Sequence, residues 1–238
     1  MTASSTAASC WICGDPADSR EHRTKRSDLK LLFGTPSQQR PLFLHTDTTR
    51  NRRVGSLDAT KLKWTVPICS HCNNVRTQVH DMAWSALSTA LLFKTPPIKP
   101  GMIIRADRIF RTNTSASMLG VHLYFAKLFG CGLAEAGFPM PADMFAQAIL
   151  HERHCPHLYL KFACTNDRSE HLMASGSNLH IAHDSVTHDP RFAAIIHHVG
   201  RLKVLVMFAA PGAEHDGLIA AWHPKFGTNR LELFDLGD

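Results

Sequence analysis

Two Cys-x-x-Cys units constrain this chain more than any other feature: Cys10 and Cys13 in CWICG, and Cys69 and Cys72 in PICSHCNNVR, with 55 residues between the pairs. One such pair is compatible with a redox couple, with half of a metal site, or with two small buried residues that fell at this spacing. Two pairs deliver four thiolates, each turn aiming two sulfurs at one point, and so supply the four corners of a tetrahedral structural zinc. A thioredoxin-type site wants one pair between a strand and a helix, which is not the pattern here. The gap is longer than a compact finger needs, so a segment is inserted between the two knuckles.

With 238 residues, 44% of them hydrophobic, the chain has material for one large domain or two modest ones. Its start, MTASSTAASCWICGD, shows neither a basic leader nor an apolar signal core, and no stretch reaches the about 18–20 uninterrupted apolar residues of a membrane span. The expectation is a soluble, cytoplasmic protein with no membrane partner, in which seven cysteines act as thiols and not as bridges. The net charge of +6 is unevenly placed. Residues 1–113 hold 17 Lys and Arg against 8 Asp and Glu, and the remainder 9 against 12, giving +9 and −3. A basic first half points to a polyanionic partner, most simply nucleic acid.

The segment KTPPIKPG (94–101) can continue neither a helix nor a central strand and marks a boundary. The expected organisation is an N-terminal unit over 1–95, a linker over 96–114 and an α+β unit over 115–238. In the last, apolar periodicity predicts helices over 115–137 and 141–152, the second with Pro141 in its first turn. Short apolar runs at 157–163, 178–183, 192–200, 201–210 and 217–224 predict an antiparallel sheet covered by the helices on one face. His151, His154, Cys155 and His157 cluster in sequence and could hold a second metal, or sit on a half-exposed face. Cys131 and Cys164 read as small buried residues.

Past the first knuckle, DSREHRTKRSDLKLLFG supplies Glu21 and His22, and CNNVRTQVHDMAW opens a helix expected to reach about residue 93. A knuckle, an acidic residue followed by His, and a second knuckle ending in Cys-Asn at the mouth of a helix together resemble the HNH endonuclease family. The resemblance covers roughly residues 8–93 and is to the four-cysteine zinc variant of its ββα-metal (His-Me finger) fold. It implies a metal-dependent endonuclease that hydrolyses phosphodiester bonds, with DNA the expected substrate. His22 would be the general base. Glu21 and Asn73, or Asn74 in the neighbouring register, would hold a catalytic Mg²⁺ or Mn²⁺ beside the structural Zn²⁺. His80 lies seven residues beyond Asn73, two helical turns along the same face, and is a further catalytic candidate. Relatives carry a central asparagine that fastens the loop bearing the base; DATKLKWTVPIC has none, so another contact must do this.

The insertion is basic. Arg23, Lys25 and Arg26 follow the Glu-His pair, Arg50, Arg52 and Arg53 lie in HTDTTRNRRVGS, and Arg76 follows the second knuckle. These are the expected phosphate contacts, Arg76 through its fork geometry. From another class comes the alternative, a zinc-containing nucleic-acid-binding protein without turnover; a third is a scaffold whose activity lies in residues 115–238. That second half carries no recognisable motif, and dimerisation, docking of a protein partner and target selection are equally compatible with it.

Overall fold

The 23 residues Thr114–Ala136 form one helix without a polar face. Every side chain from Gly120 to Leu133 is buried, His122 and Lys127 included, and a helix apolar on all sides belongs at the centre of a core. Gly137, at φ 63°, ends it in the left-handed conformation that glycine adopts without strain. By length and composition this helix could cross a membrane, and 83% of its most apolar window is buried within the fold.

The computed structural model describes residues 8–137, 142–167, 172–213, 215–227 and 229–236. Pro141 therefore lies outside the described residues. In chain order the elements are α1 (Arg26–Phe33), β1 (Leu42–Leu44), β2 (Arg52–Val54), α2 (Gln78–Leu92), β3 (Ile103–Arg105), α3 (Ala106–Ile109), α4 (Thr114–Ala136), α5 (Ala142–Leu150), β4 (Leu158–Cys164), β5 (Ala174–Gly176), β6 (His180–His183), β7 (Pro190–Val199), β8 (Leu202–Ala209) and β9 (Arg230–Glu232). A π-helical turn, His71–Arg76, leads into α2. The class is mixed α+β.

The main sheet is antiparallel, in the order β4-β8-β7-β5, and β6 pairs with the other half of β7. A two-residue turn joins β7 to β8, with Val199 opposite Leu202 and Gly200 at φ 60°, the left-handed backbone that tight hairpins require. Helices cover this sheet: Phe145 of α5 lies 6.1 Å from Phe208 of β8, and Trp84 of α2 lies 5.5 Å from His197 of β7. Two small ribbons complete the fold, β1 with β2 and β3 with β9.

The strand expected at 217–224 is absent. Short 3₁₀ turns occupy Asp216–Leu218 and Pro224–Phe226, and a single bridge joins Trp222 to Leu160 of β4. The cause is local: His215 and His223 accept hydrogen bonds from the backbone N–H groups of Gly217 and Lys225, and side chains that bond their own backbone compete with a strand ladder. The prolines after residue 94 end α2 but do not divide the core. Buried apolar side chains form one cluster from Cys10 to Leu233, with Ile98 and Ile104 inside it.

His197 shows what this core does to a titratable ring. It is buried against Trp84, Tyr124 and Phe125, and its Nε2 has no hydrogen-bond partner among the described residues. Burial, with His198 beside it, pulls its pKa down to about 3. Its folded value is thus depressed. Below the unfolded value of about 6.5 the unfolded chain binds a proton that the folded chain refuses, and stability falls as pH drops, by up to about 1.4 kcal/mol per pH unit from this residue. His197→Phe removes that proton while keeping an aromatic ring. Urea unfolding at pH 7 and pH 5 should show the variant losing about 1–2 kcal/mol less stability than wild type over that interval; an unchanged pH slope would mean that His197 is not a source of the acid sensitivity.

Candidate metal centre and the buried lysine beside it

The first knuckle is a tight turn in which the Gly14 N–H reaches the Cys10 carbonyl (2.8 Å) and Gly14 adopts φ 81°. The second opens the π-helical turn, where the Asn73 N–H reaches the Cys69 carbonyl (2.9 Å) and the Cys72 N–H the Cys69 sulfur (3.3 Å). The Sγ atoms of Cys10, Cys13, Cys69 and Cys72 all lie within 4.8 Å of one another, those of Cys13 and Cys69 at 3.6 Å. Zinc–sulfur bonds of about 2.3 Å in a tetrahedron put sulfurs about 3.8 Å apart, so the spacing suits a structural zinc. None of the four is in a disulfide. Burial pushes the Cys72 thiol up, with the sulfurs of Cys13, Cys69 and Cys10 adding to it, and pushes the Cys13 thiol up to about 11. A cation is what allows four crowded sulfurs to ionise together. Among the described residues this is the one group of three or more His, Cys, Asp or Glu whose ligand atoms converge.

His151, His154, Cys155 and His157, which could have held a second metal, do not converge. His151 Nε2 meets Gln147 Oε1 (2.9 Å), His154 packs edge-on against His223, His157 packs against Phe208, and Cys155 is buried. Cys131 and Cys164 are buried, as expected.

Between the knuckles, residues 19–23 run antiparallel to 62–68: Ser19 bridges to Ile68 and His22 to Lys63. The Trp64 N–H donates to the Glu21 carbonyl (2.8 Å) and the Arg23 N–H to the Leu62 carbonyl (2.9 Å). This ribbon feeds directly into the second knuckle and α2. On it, the half-buried His22 ring places Nε2 2.9 Å from the Leu57 carbonyl. A carbonyl only accepts, so Nε2 carries the proton and Nδ1 keeps its lone pair. Burial holds the ring's pKa below the usual histidine value, the Leu57 carbonyl partly opposing it. That contact ties the loop at Leu57 to the strand bearing His22.

Glu21 does not face His22's lone pair as a free ligand. Its Oε2 lies 2.7 Å from Nζ of Lys127, on α4, and its Oε1 accepts the His22 backbone N–H (3.1 Å). Lys127 is wholly buried, and its ammonium also contacts both oxygens of Asp81 (3.0 and 3.2 Å) and the hydroxyl of Thr77 (3.1 Å). Burial alone would discharge this lysine; Glu21 and Asp81 outweigh it and hold the pKa above the ordinary lysine range. Lys25 approaches Asp81 from the other side (3.7 Å). His80 is buried near Lys127 with Nδ1 unpartnered among the described residues, and burial, then Lys127, keep it neutral-leaning. The Asn73 amide donates to Ser19 Oγ (3.0 Å) and the Arg20 carbonyl (3.4 Å), strapping the ribbon to the turn. Asn74 stays exposed. Lys25, Asn73, Asn74, Gln78, Asp81, Met82 and Ser85 line a depression of about 460 Å³.

Two of the residues expected to hold a catalytic Mg²⁺ or Mn²⁺ make protein contacts here. The Glu21 carboxylate meets an ammonium, and the Asn73 amide nitrogen meets the ribbon, while Asn73 Oδ1 is buried without a hydrogen-bond partner among the described residues. Lys127, Asp81 and Thr77 are the partners that sequence reasoning missed. A signal existed, since Lys127 is the lone cation in the apolar run LYFAKLFG, and a buried lysine needs an acid.

The basic residues divide into engaged and free. Arg23 pairs with Glu135 and stacks over Trp64 at 4.1 Å. Arg26 pairs with Asp58 (3.2 Å), and the Arg76 guanidinium lies 3.0 Å from the Cys72 sulfur, beside the metal centre. Arg50, Arg52 and Arg53 are exposed on and beside β2, Arg53 giving one donor to the Gln38 carbonyl (2.8 Å). Comparison with protein-family models, with curated proteins and with solved structures finds no match.

Three variants test this site. Cys72→Ser should lose one equivalent of zinc and the cooperative unfolding of the N-terminal region, because binding and folding are linked at such sites; Cys164→Ser should retain the metal. Elemental analysis with circular dichroism checks both, and a folded, metal-free Cys72→Ser protein would remove the assignment. Lys127→Met leaves two carboxylates facing each other in the core and should cost about 3 kcal/mol in denaturant unfolding; a loss under 1 kcal/mol would show that Glu21 and Asp81 do not depend on it.

Proposed function

We propose that this protein binds nucleic acid without cleaving it, on a zinc-stabilised HNH-like scaffold. Three features support the scaffold: the four-cysteine centre, the antiparallel ribbon bearing Glu21 and His22, and the helix that follows the second knuckle. The observation that carries the absence of turnover is the 2.7 Å ion pair between Glu21 and the buried Lys127. A fixed ammonium occupies the acidic ligand that a nuclease of this kind would give its cation. Binding is supported by the charge of +9 on residues 1–113 and by the exposed arginines of β2.

A hydrolytic reading has two observations in its favour, the first being that Asn73 Oδ1 is buried without a hydrogen-bond partner among the described residues. The second is that His22 is neutral-leaning and its Nδ1 lone pair is free, which is the state a general base requires. The two readings part in a single experiment. Zinc-loaded protein is titrated against labelled DNA at several salt concentrations, and incubated with supercoiled plasmid in Mg²⁺, Mn²⁺ or EDTA. We expect binding whose affinity falls steeply with salt, a shallower salt slope for Arg52→Glu/Arg53→Glu, and intact plasmid under all three conditions. Metal-dependent nicking that disappears in His22→Ala would overturn the binding reading in favour of the nuclease.

A further inference from the structure

The β1–β2 ribbon carries a feature that phosphate binding alone does not use. Phe43 stands directly opposite Arg53, while Leu42 stands opposite Val54 and Leu44 opposite Arg52. Cross-strand partners project from the same face, and alternate residues from opposite faces. Val54 is 2% exposed, so the face with Leu42 and Val54 packs inward; Phe43 is 57% exposed, so its face looks outward with Arg53 beside it. A phenylalanine ring in water beside an arginine contributes nothing to the core. Its energy is realised only when a flat apolar partner covers it.

The ribbon is held in place for such a role. Lys61 Nζ donates to the Arg53 carbonyl (3.3 Å) and Arg53 to the Gln38 carbonyl (2.8 Å). The loop joining the strands closes on itself, Thr46 N–H to the Thr49 carbonyl (2.7 Å), and Asp47 accepts from Asn178 between β5 and β6 (2.6 Å). Residues 40–63 hold six basic and two acidic residues, a balance of +4. Of those acids, Asp47 bonds Asn178 and Asp58 pairs with Arg26, so neither faces the exposed arginines as a counter-ion.

Resting on the reading that this chain binds nucleic acid, we infer that its ligand class is single-stranded nucleic acid, with an unpaired base stacked on Phe43 and the adjoining phosphate at Arg53. The charge selects a polyanion, and the aromatic ring selects among polyanions. A closed duplex presents phosphates and groove edges but keeps its base faces stacked on one another, whereas a single strand offers them. Base stacking on an aromatic side chain is tolerant of sequence and adds to the electrostatic term without replacing it.

The test uses the full, zinc-loaded chain and fluorescence anisotropy with three probes: a 15-nucleotide oligo-dT, a 15-nucleotide oligo-rU, and a mixed-sequence 15-base-pair duplex, each at two salt concentrations. Wild type should bind at least one single strand about tenfold or more tighter than the duplex, and the dT and rU arms say whether the sugar matters. Phe43→Ala should weaken that binding about 5- to 100-fold, leave duplex affinity within about twofold and leave the salt slope unchanged, while Phe43→Trp restores it. Because Phe43 is exposed, circular dichroism and zinc content of the variants should match wild type. Equal affinity for duplex and single strand, or a Phe43→Ala protein that binds the single strand as wild type does, overturns the inference while leaving nucleic-acid binding intact. Failure to bind any probe at low salt overturns the functional reading itself.

Discussion

A lysine ammonium with no exposure to solvent is tolerable only where carboxylates meet it, and the environment of Lys127 shapes much of this fold. The cost of burying two opposite charges is several kcal/mol per ion, recovered only if the geometry is good and the remaining donors are used. Here the partners come from three separate pieces of chain. Glu21 lies on the ribbon between the knuckles, Thr77 and Asp81 lie at the start of α2, and Lys127 lies in the middle of α4. The pairing can form only when all three are docked, so it couples the order of the ribbon to the packing of the central helix.

The metal centre and the core depend on that docking in turn. Trp11, between the first two cysteines, lies so close to α4 that a Cβ at Gly130 would come within 2.2 Å of its ring. The knuckle is thus seated on the helix at a place where only glycine fits. Glu135 near the end of α4 holds Arg23 and accepts the backbone N–H of Thr65 (2.9 Å), clamping both strands of the ribbon. A metal ion held by the four cysteines would close the loop between the knuckles, and α4 supplies the surface on which that loop rests. The 55-residue insertion can carry a basic hairpin outward because both of its ends are fixed in this way.

Local pattern made part of this visible in the sequence. The cysteine pairs, the apolar run of α4 and the alternating runs of β4, β6, β7 and β8 are signalled by spacing within a few residues, which is the range over which periodicity carries information. Partners chosen by tertiary packing are not signalled that way. Glu21 beside His22 reads as a ligand, and only the distant Lys127 reveals its engagement. The run at 217–224 looked like a strand because its apolar content is right, while the capping by His215 and His223 is invisible to hydropathy. The β1–β2 hairpin escaped notice because its strands are three residues each and its turn is long, with Asn51 at φ 57°. Arg23, Arg26 and Arg76 read as solvated cations in the sequence, and their contacts with Glu135, Asp58 and the Cys72 sulfur are set by tertiary packing that charge counting does not signal.

The chemistry open to this site follows from counting protons on one nitrogen. An ammonium has three N–H donors and no acceptor, and those of Lys127 face Glu21, Asp81 and Thr77. None is left to reach a scissile phosphate, and the group is sealed from solvent. A divalent ion in such a place would hold exchangeable ligands, lower the pKa of a bound water and accept a leaving oxygen; a saturated ammonium does none of these. What it does supply is charge balance that never dissociates, and with it a rigid ribbon. Rigidity favours recognition, since a binding surface fixed before contact loses less entropy on contact. On the proposed reading, the lysine that removes the cation's ligand also stiffens the platform from which the basic hairpin projects.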